Sequence, residues 1–106
     1  TLREADGLAM SSRNVYLSAE ERATAPLLQR VLSEAAAAIT AGEDAEPVLT
    51  YGRERIAQGG FELDYLEWRD ATSLGLASRD KASRLLVAAR IGKTRLIDNV
   101  GVAAGV

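Results

Sequence analysis

The stretch LLVAARIGKTRLIDNV, residues 85–100, contains the clearest fold signal in the chain. It opens with an unbroken apolar run, which is typical of a strand buried on both faces. Gly92 and Lys93 follow, with glycine at the first central position of a two-residue turn, the signature of a type II′ hairpin. Residues 94–100 are then the returning strand. We therefore expect an antiparallel sheet whose middle strand is 85–91.

A third strand is predicted before this hairpin. Phe61, Leu63 and Tyr65 alternate with acidic residues, as in a strand with one buried face. Leu66 and Trp68 continue the apolar pattern on the opposite parity. This strand therefore either bulges or becomes covered on its second face.

Helical signals come earlier in the chain. Residues 18–21, Ser-Ala-Glu-Glu, form a capping box. Pro26 indicates that the helix restarts at Thr24, with the proline near its beginning. An apolar stripe at helical spacing follows and ends near Gly42. The stripe contains Leu27, Leu28, Val31, Leu32, Ala35 and Ile39. A second helix is predicted from about Pro47 to Gln58, stopped by the Gly-Gly pair that follows it. Its apolar side is formed by Val48, Leu49 and Ile56, and its more exposed residues are Arg53, Glu54 and Arg55.

These patterns predict the α+β class, with helices packed on a small three-stranded antiparallel sheet. We expect a single domain over residues 1–106, with the helices in 18–58 and the sheet in 61–100. Residues 1–17 show no sustained period and are expected to be extended or looped. Residues 101–106 are expected to be a frayed tail.

Composition excludes several classes of function. The chain has neither cysteine nor histidine, which excludes disulfides, thiolate nucleophiles, zinc sites built on these residues and imidazole acid–base chemistry. A net charge of -2 gives no electrostatic case for nucleic acid, and no apolar run is long enough to cross a membrane. The lack of cysteine fits a cytoplasmic protein. Because the chain begins with Thr1 rather than Met, we expect either a processed product or an excised piece of a longer protein.

Within DGLAMSSRN, residues 6–14, the stretch from Met10 to Asn14 has no evident structural role. The guanidinium of Arg13 can bind a phosphate through two hydrogen bonds, and the hydroxyls of Ser11 and Ser12 can donate to the same anion. On local chemistry alone, a plain polar loop is the favoured explanation, because Ser-Ser-Arg is a common sequence by chance. The other polar candidate is a set of strand carboxylates, which more simply form a solvated face than an acid–base pair. These are Glu62, Asp64 and Glu67.

Two long stretches together resemble the C-terminal domain of the pantoate–β-alanine ligase (pantothenate synthetase) family. They are DGLAMSSRN, preceded by Arg3-Glu4, and AARIGKTRLIDN at residues 88–99. LSAEER at 17–22 and DYLEWRDA at 64–71 fall between them, where the family has similar segments. The resemblance therefore extends over nearly the whole chain.

The resemblance implies an activity that needs more than this chain. Members of the family condense pantoate with β-alanine in an ATP-dependent, Mg²⁺-assisted reaction, through an enzyme-bound pantoyl adenylate, and release pyrophosphate and AMP. It also implies a larger N-terminal Rossmann-like domain with a histidine-rich signature and the pantoate pocket, over which the C-terminal domain closes as a lid. These features are not found in the 106 residues, so the chain alone is expected to be inactive. The full-length enzyme is expected to be a homodimer.

The resemblance also assigns residues. The Met-Ser-Ser-Arg segment is the counterpart of the signature loop of class I aminoacyl-tRNA synthetases, so Ser11, Ser12 and Arg13 would contact the ATP phosphates, Arg13 as a catalytic group. Met10 would lie by the nucleotide, and Leu2 would offer backbone groups to adenine. No metal ligand is expected in this chain, because Mg²⁺ would be held mainly by the N-terminal domain. A small non-catalytic interaction domain, docking by its sheet or a helical face, is the alternative.

Overall fold

The computed structural model describes residues 2–9, 11, 14, 16–78 and 81–102. Three helices come first: α1 (Ala19–Thr24), α2 (Leu27–Thr40) and α3 (Ala45–Gln58). Three strands follow: β1 (Glu62–Asp70), β2 (Ser83–Ile91) and β3 (Thr94–Val102). The strands form an antiparallel sheet in the order β1-β2-β3. The predicted α+β class, with β2 as the middle strand, is confirmed.

The turn between β2 and β3 has the predicted form. Ile91 pairs with Thr94, so Gly92 and Lys93 are the two central residues. Gly92 has a φ of +60° and Lys93 is not in the left-handed region, which fits a type II′ rather than a type I′ turn. The positive φ is what favours glycine here, and a Cβ atom at this position would also displace the carboxylate of Glu21.

The sheet extends further toward the C-terminus than expected. β3 continues past residue 100 through Val102, which pairs with Ser83 at the start of β2. The expected fraying is therefore wrong for residues 101 and 102, because both lie in the ladder of β2. Residues 103–106 lie outside the described part of the chain.

Strand β1 contains the bulge that the sequence offered as one alternative. The register shifts between Leu63 and Tyr65, which leaves Asp64 as the extra residue. An extra residue reverses the inward and outward alternation beyond it. Leu66 is consequently fully buried, whereas Tyr65 is 37% exposed on the open side of the sheet. The assignment of Tyr65 to the buried face is wrong for this reason.

The core lies between the two longer helices and one face of the sheet. The predicted stripe of α2 is buried, except that Leu27 is half-buried, and α3 adds Leu49, Gly52 and Ile56. At Gly52 a Cβ atom would lie 2.9 Å from Leu66 Cδ2, so glycine permits the close approach of α3 to β1. The opposite face of the sheet is open and carries exposed Arg84, Arg90 and Ile97.

The helix boundaries lie near the predicted signals, but the restart expected at Thr24 is wrong, because Thr24 ends α1 and Pro26 precedes the first residue of α2. The capping box is present: Glu21 N–H donates to Ser18 Oγ (3.1 Å), and Ser18 N–H donates to Glu21 Oε1 (2.9 Å). Arg53 and Arg55 were expected to be exposed, but both are half-buried. Arg53 donates to the carbonyl of Leu66 at 2.8 Å, and Arg55 to Glu34 at 2.8 Å. These long side chains lie along the protein surface and satisfy acceptors there.

Candidate nucleotide-binding site

The predicted ATP-binding residues are only partly within the described chain. Leu2 and Ser11 are described, and both are exposed, Leu2 with 79% of its surface. Met10, Ser12 and Arg13 lie outside the described residues. Their assignments, including the catalytic one to Arg13, therefore stay predictions, and the structure describes the framework on either side of them.

Residues 3–9, called the N-terminal turn from here on, lead into the loop. Arg3 and Ala9 form an antiparallel bridge, and Glu4 N–H donates to the carbonyl of Leu8 at 2.8 Å. Gly7 has a φ of +96°, a conformation that side chains other than glycine rarely adopt. Leu8 is 4% exposed and inserts into the hydrophobic core. The chain is thus fixed immediately before the predicted phosphate-binding residues.

A two-contact ion pair attaches the N-terminal turn to β3. Arg3 Nη1 lies 2.7 Å from Asp98 Oδ2, and Arg3 Nη2 lies 2.9 Å from Asp98 Oδ1. The guanidinium also donates to the carbonyls of Gly7 (2.9 Å) and Asn99 (3.2 Å). The Asp98 side chain is only 4% exposed, and its hydrogen bond with Arg3 raises the pKa of that guanidinium. The pair fixes one side of the turn.

Arg22 of α1 holds the other side of the turn. Its guanidinium contacts both oxygens of Asp6, at 2.6 and 3.2 Å, and lies 3.3 Å from Glu4 Oε1. The hydrogen bond from Arg22 lowers the pKa of Asp6. Exposed ion pairs of this kind add little to stability. Their contribution here is geometric, because they join the turn to a capped helix.

Asn14 fixes the chain on the far side of the predicted phosphate-binding residues. Its Nδ2 donates to Glu4 Oε2 (2.8 Å) and to the carbonyl of Ala9 (3.1 Å). Its backbone N–H donates to the carbonyl of Ser11, and its own carbonyl accepts from Leu17 N–H. Sequence reasoning missed this role. The available signal was the position of Asn14 as the last residue of DGLAMSSRN, a polar side chain suited to bonding nearby backbone groups.

A cleft of about 560 Å³ adjoins both the loop and β3. The loop contributes Ala9, Ser11 and Asn14 to its lining, and β3 contributes residues 95–99. This volume lies in the usual range for small-molecule sites. Arg95 contributes a cationic group to the cleft and is bonded through Nε to Asp64 at 2.7 Å, which raises the pKa of Arg95. The cleft thus joins the two long stretches that carry the family resemblance.

The carboxylates of the N-terminal turn are bound to protein donors. Magnesium prefers carboxylate, phosphate and water oxygens. The two carboxylates of the N-terminal turn, Glu4 and Asp6, are already bound to Arg22, and Glu4 also to Asn14. Within the described ranges, no group of three or more acidic, histidine or cysteine side chains is arranged to hold a metal. Nor does any helix there have the length and apolar character needed to span a membrane.

Comparison with known proteins gives a consistent result. Residues 1–101 match the family described as Pantoate-beta-alanine ligase. Pantothenate synthetases from Bradyrhizobium sp. strain BTAi1 and Rhodopseudomonas palustris strain BisA53 are 57% and 61% identical to the chain over 104 residues, covering 96% of it. The crystal structure of pantothenate synthetase from Thermus thermophilus is similar with a TM-score of 0.83 and 39% identity, over 97% of this chain and 38% of that one. The chain spans 37% of the length of the curated relatives.

Proposed function

The chain belongs to the pantoate–β-alanine ligase family, and on that premise we propose that it is the C-terminal domain of an ATP-dependent ligase that forms pantothenate. In this reaction the carboxylate of pantoate attacks the α-phosphorus of ATP and pyrophosphate leaves. The amine of β-alanine then attacks the acyl carbon of pantoyl adenylate and displaces AMP. The observation that carries the proposal is the family match over residues 1–101.

Within this reaction, the loop between Ala9 and Asn14 is proposed to bind the ATP phosphates. Arg13 would neutralise the negative charge that moves toward pyrophosphate as the α-phosphorus is attacked. Ser11 and Ser12 would donate hydrogen bonds to the same oxygens. Donors that are fixed before the reaction stabilise developing charge most effectively. The hydrogen bonds at both ends of the loop, at Ala9 and Asn14, support this interpretation.

The remaining contacts with ATP are proposed from the family resemblance. Met10 would lie beside the nucleotide, and the exposed Leu2 would present its backbone groups to adenine. Mg²⁺, when bound, would offset the charge of the phosphates. Because Glu4 and Asp6 are already engaged, we expect the residues that hold Mg²⁺ to belong mainly to the N-terminal domain.

The wider organisation is part of the same proposal. The chain would form one lid domain, with a loop segment at 1–17, helices at 18–58 and a sheet at 61–100, opposite an N-terminal Rossmann-like domain. Since the chain spans 37% of its relatives, the pantoate pocket and the histidine-rich signature are expected in the rest of the enzyme. A homodimeric full-length enzyme in the cytoplasm is expected from the resemblance. A non-catalytic interaction domain is not favoured, because the chain is up to 61% identical to named synthetases.

The test compares the 106-residue chain with the complete ligase in an assay of AMP release from ATP, pantoate and β-alanine. We expect release by the complete ligase and none by the chain alone. The isolated chain should bind Mg-ATP with a dissociation constant of roughly 1 mM or weaker, because its few exposed donors are not joined by a closed adenine pocket. Absence of AMP release by the complete ligase would overturn the proposed function. A micromolar dissociation constant for the isolated chain would overturn the proposal that the ATP site is divided between this chain and the N-terminal domain.

A further inference from the structure

The amide side chain of Asn14 closes the base of the predicted phosphate-binding loop. We propose that Asn14 is a positioning residue for ATP binding, acting through its two donated hydrogen bonds to Glu4 and Ala9. This inference rests on the proposed function of the loop. It adds a residue whose side chain is directed at the protein rather than at the nucleotide.

The two acceptors of the Asn14 amide belong to parts of the protein that are themselves fixed. Glu4 lies 3.3 Å from Arg22 of α1, and Ala9 is bridged to Arg3. Arg3 is in turn bound to the buried carboxylate of Asp98 in β3. Through one amide, the far end of the loop is therefore joined to a helix and to the sheet.

The orientation of the Asn14 amide is determined by its surroundings. Both groups that face its Nδ2 are acceptors, the Glu4 carboxylate and the Ala9 carbonyl, so a flipped amide would place oxygen against oxygen. In the orientation observed, Oδ1 is buried, and no partner for it is found in the described part of the chain. A buried acceptor without a partner is unfavourable for stability. The amide is therefore oriented by its two donated hydrogen bonds, although this orientation leaves the Oδ1 acceptor without a described partner.

Closing the base of the loop has a direct consequence for ligand binding. The amide joins Asn14 to Ala9, the two residues that flank the predicted phosphate-binding residues, so less conformational freedom is lost when an anion binds between these fixed points. Reducing that loss strengthens binding without adding a contact to the ligand. Removal of the amide donor should therefore weaken ATP binding while leaving pantoate binding unchanged.

The test uses Asn14→Asp in the complete ligase, which keeps the shape of the side chain but replaces the donor by a carboxylate beside Glu4. We expect the KM for ATP to rise about ten-fold, the loss of roughly one hydrogen bond to a charged group. The KM for pantoate should remain close to the wild-type value. Glu4→Gln alone should raise the KM for ATP less than Asn14→Asp does, because the amide oxygen still accepts from Asn14 although the charge that faces Arg22 is lost.

The decisive variant combines Asn14→Asp with Glu4→Gln. The new glutamine amide can donate to the new carboxylate, so part of the affinity for ATP should return, although the Ala9 carbonyl stays without its donor. An unchanged KM for ATP in Asn14→Asp would overturn the inference, as would a double variant no better than the single one. An equal rise in both KM values with early melting would show a merely structural role. Failure of the wild-type ligase to form adenylate would instead overturn the proposed function.

Discussion

The helix–sheet core and the N-terminal segment, residues 2–17, are held in place by different forces. In the core, α2, α3 and the inner face of the sheet bury a continuous set of apolar side chains. In the described part of the N-terminal segment, one side chain, Leu8, is fully buried, and the other contacts are mainly ion pairs and polar hydrogen bonds. Apolar burial supplies most of the stability of a fold, whereas exposed polar contacts add little free energy and mainly fix the orientation of the groups they join. The core therefore determines whether the chain folds, and the segment determines where the residues that flank the proposed phosphate-binding loop lie.

The largest effect on stability is expected at the centre of the core. Leu66→Ala removes a fully buried side chain that packs against the α3 surface at Gly52. It should lower the free energy of unfolding by about 2–5 kcal/mol, through lost burial and the cavity that remains. The matched control is Ile97→Ala on the open face of the sheet, where the side chain is 57% exposed. It should cost no more than about 0.5 kcal/mol in urea unfolding. If the two variants lost the same free energy of unfolding, the assignment of stability to the inner face of the sheet would be contradicted.

A smaller effect is expected where the N-terminal turn meets the core. Arg3→Ala leaves the carboxylate of Asp98 buried without its cation. Breaking a fully buried pair costs about 3–5 kcal/mol, and because the Arg3 side chain is 23% exposed we expect about 2 kcal/mol. Arg3→Met combined with Asp98→Leu should recover most of this loss, since no unpaired charge remains. If Arg3→Ala unfolds at the wild-type urea concentration, the ion pair does not anchor the turn.

The smallest effect is expected at the exposed side of the turn, and it depends on pH. Arg22 holds the pKa of Asp6 below its ordinary value of about 3.9. A lowered folded-state pKa contributes stability above the unfolded pKa, and this contribution is lost as the pH falls through the folded value. Asp6→Asn should therefore melt slightly below wild type at pH 7. The two proteins should converge under more acidic conditions, whereas the Leu66→Ala deficit should persist. A difference between Asp6→Asn and wild type that does not depend on pH would exclude the ion pair as its cause.

The contrast between the two regions also explains what the sequence could predict. Apolar periodicity located α2, β2 and the hairpin at Gly92 because the burial of side chains follows the backbone period. It could not choose between a bulge and a covered second face in β1, because either one explains why the apolar residue Leu66 follows at a position of opposite parity. Nor could it predict the Arg3–Asp98 pair, which joins residues 95 positions apart without any periodic signal. The family resemblance pointed to the loop, but a residue that acts through other residues, such as Asn14, has no signal in local chemistry.

The most direct test of the central claim is single-turnover adenylate formation by the complete ligase with Arg13→Ala. If the loop binds the ATP phosphates, this step should slow by roughly 10²–10³-fold, the usual loss when one charge-stabilising donor is removed. The free energy of unfolding of Arg13→Ala should differ from wild type by no more than about 0.5 kcal/mol. Arg13→Lys should recover only part of the rate, because lysine keeps the charge but cannot make the bidentate contact. A variant that melts several degrees early while keeping the wild-type rate would show that Arg13 is structural, and would contradict the account.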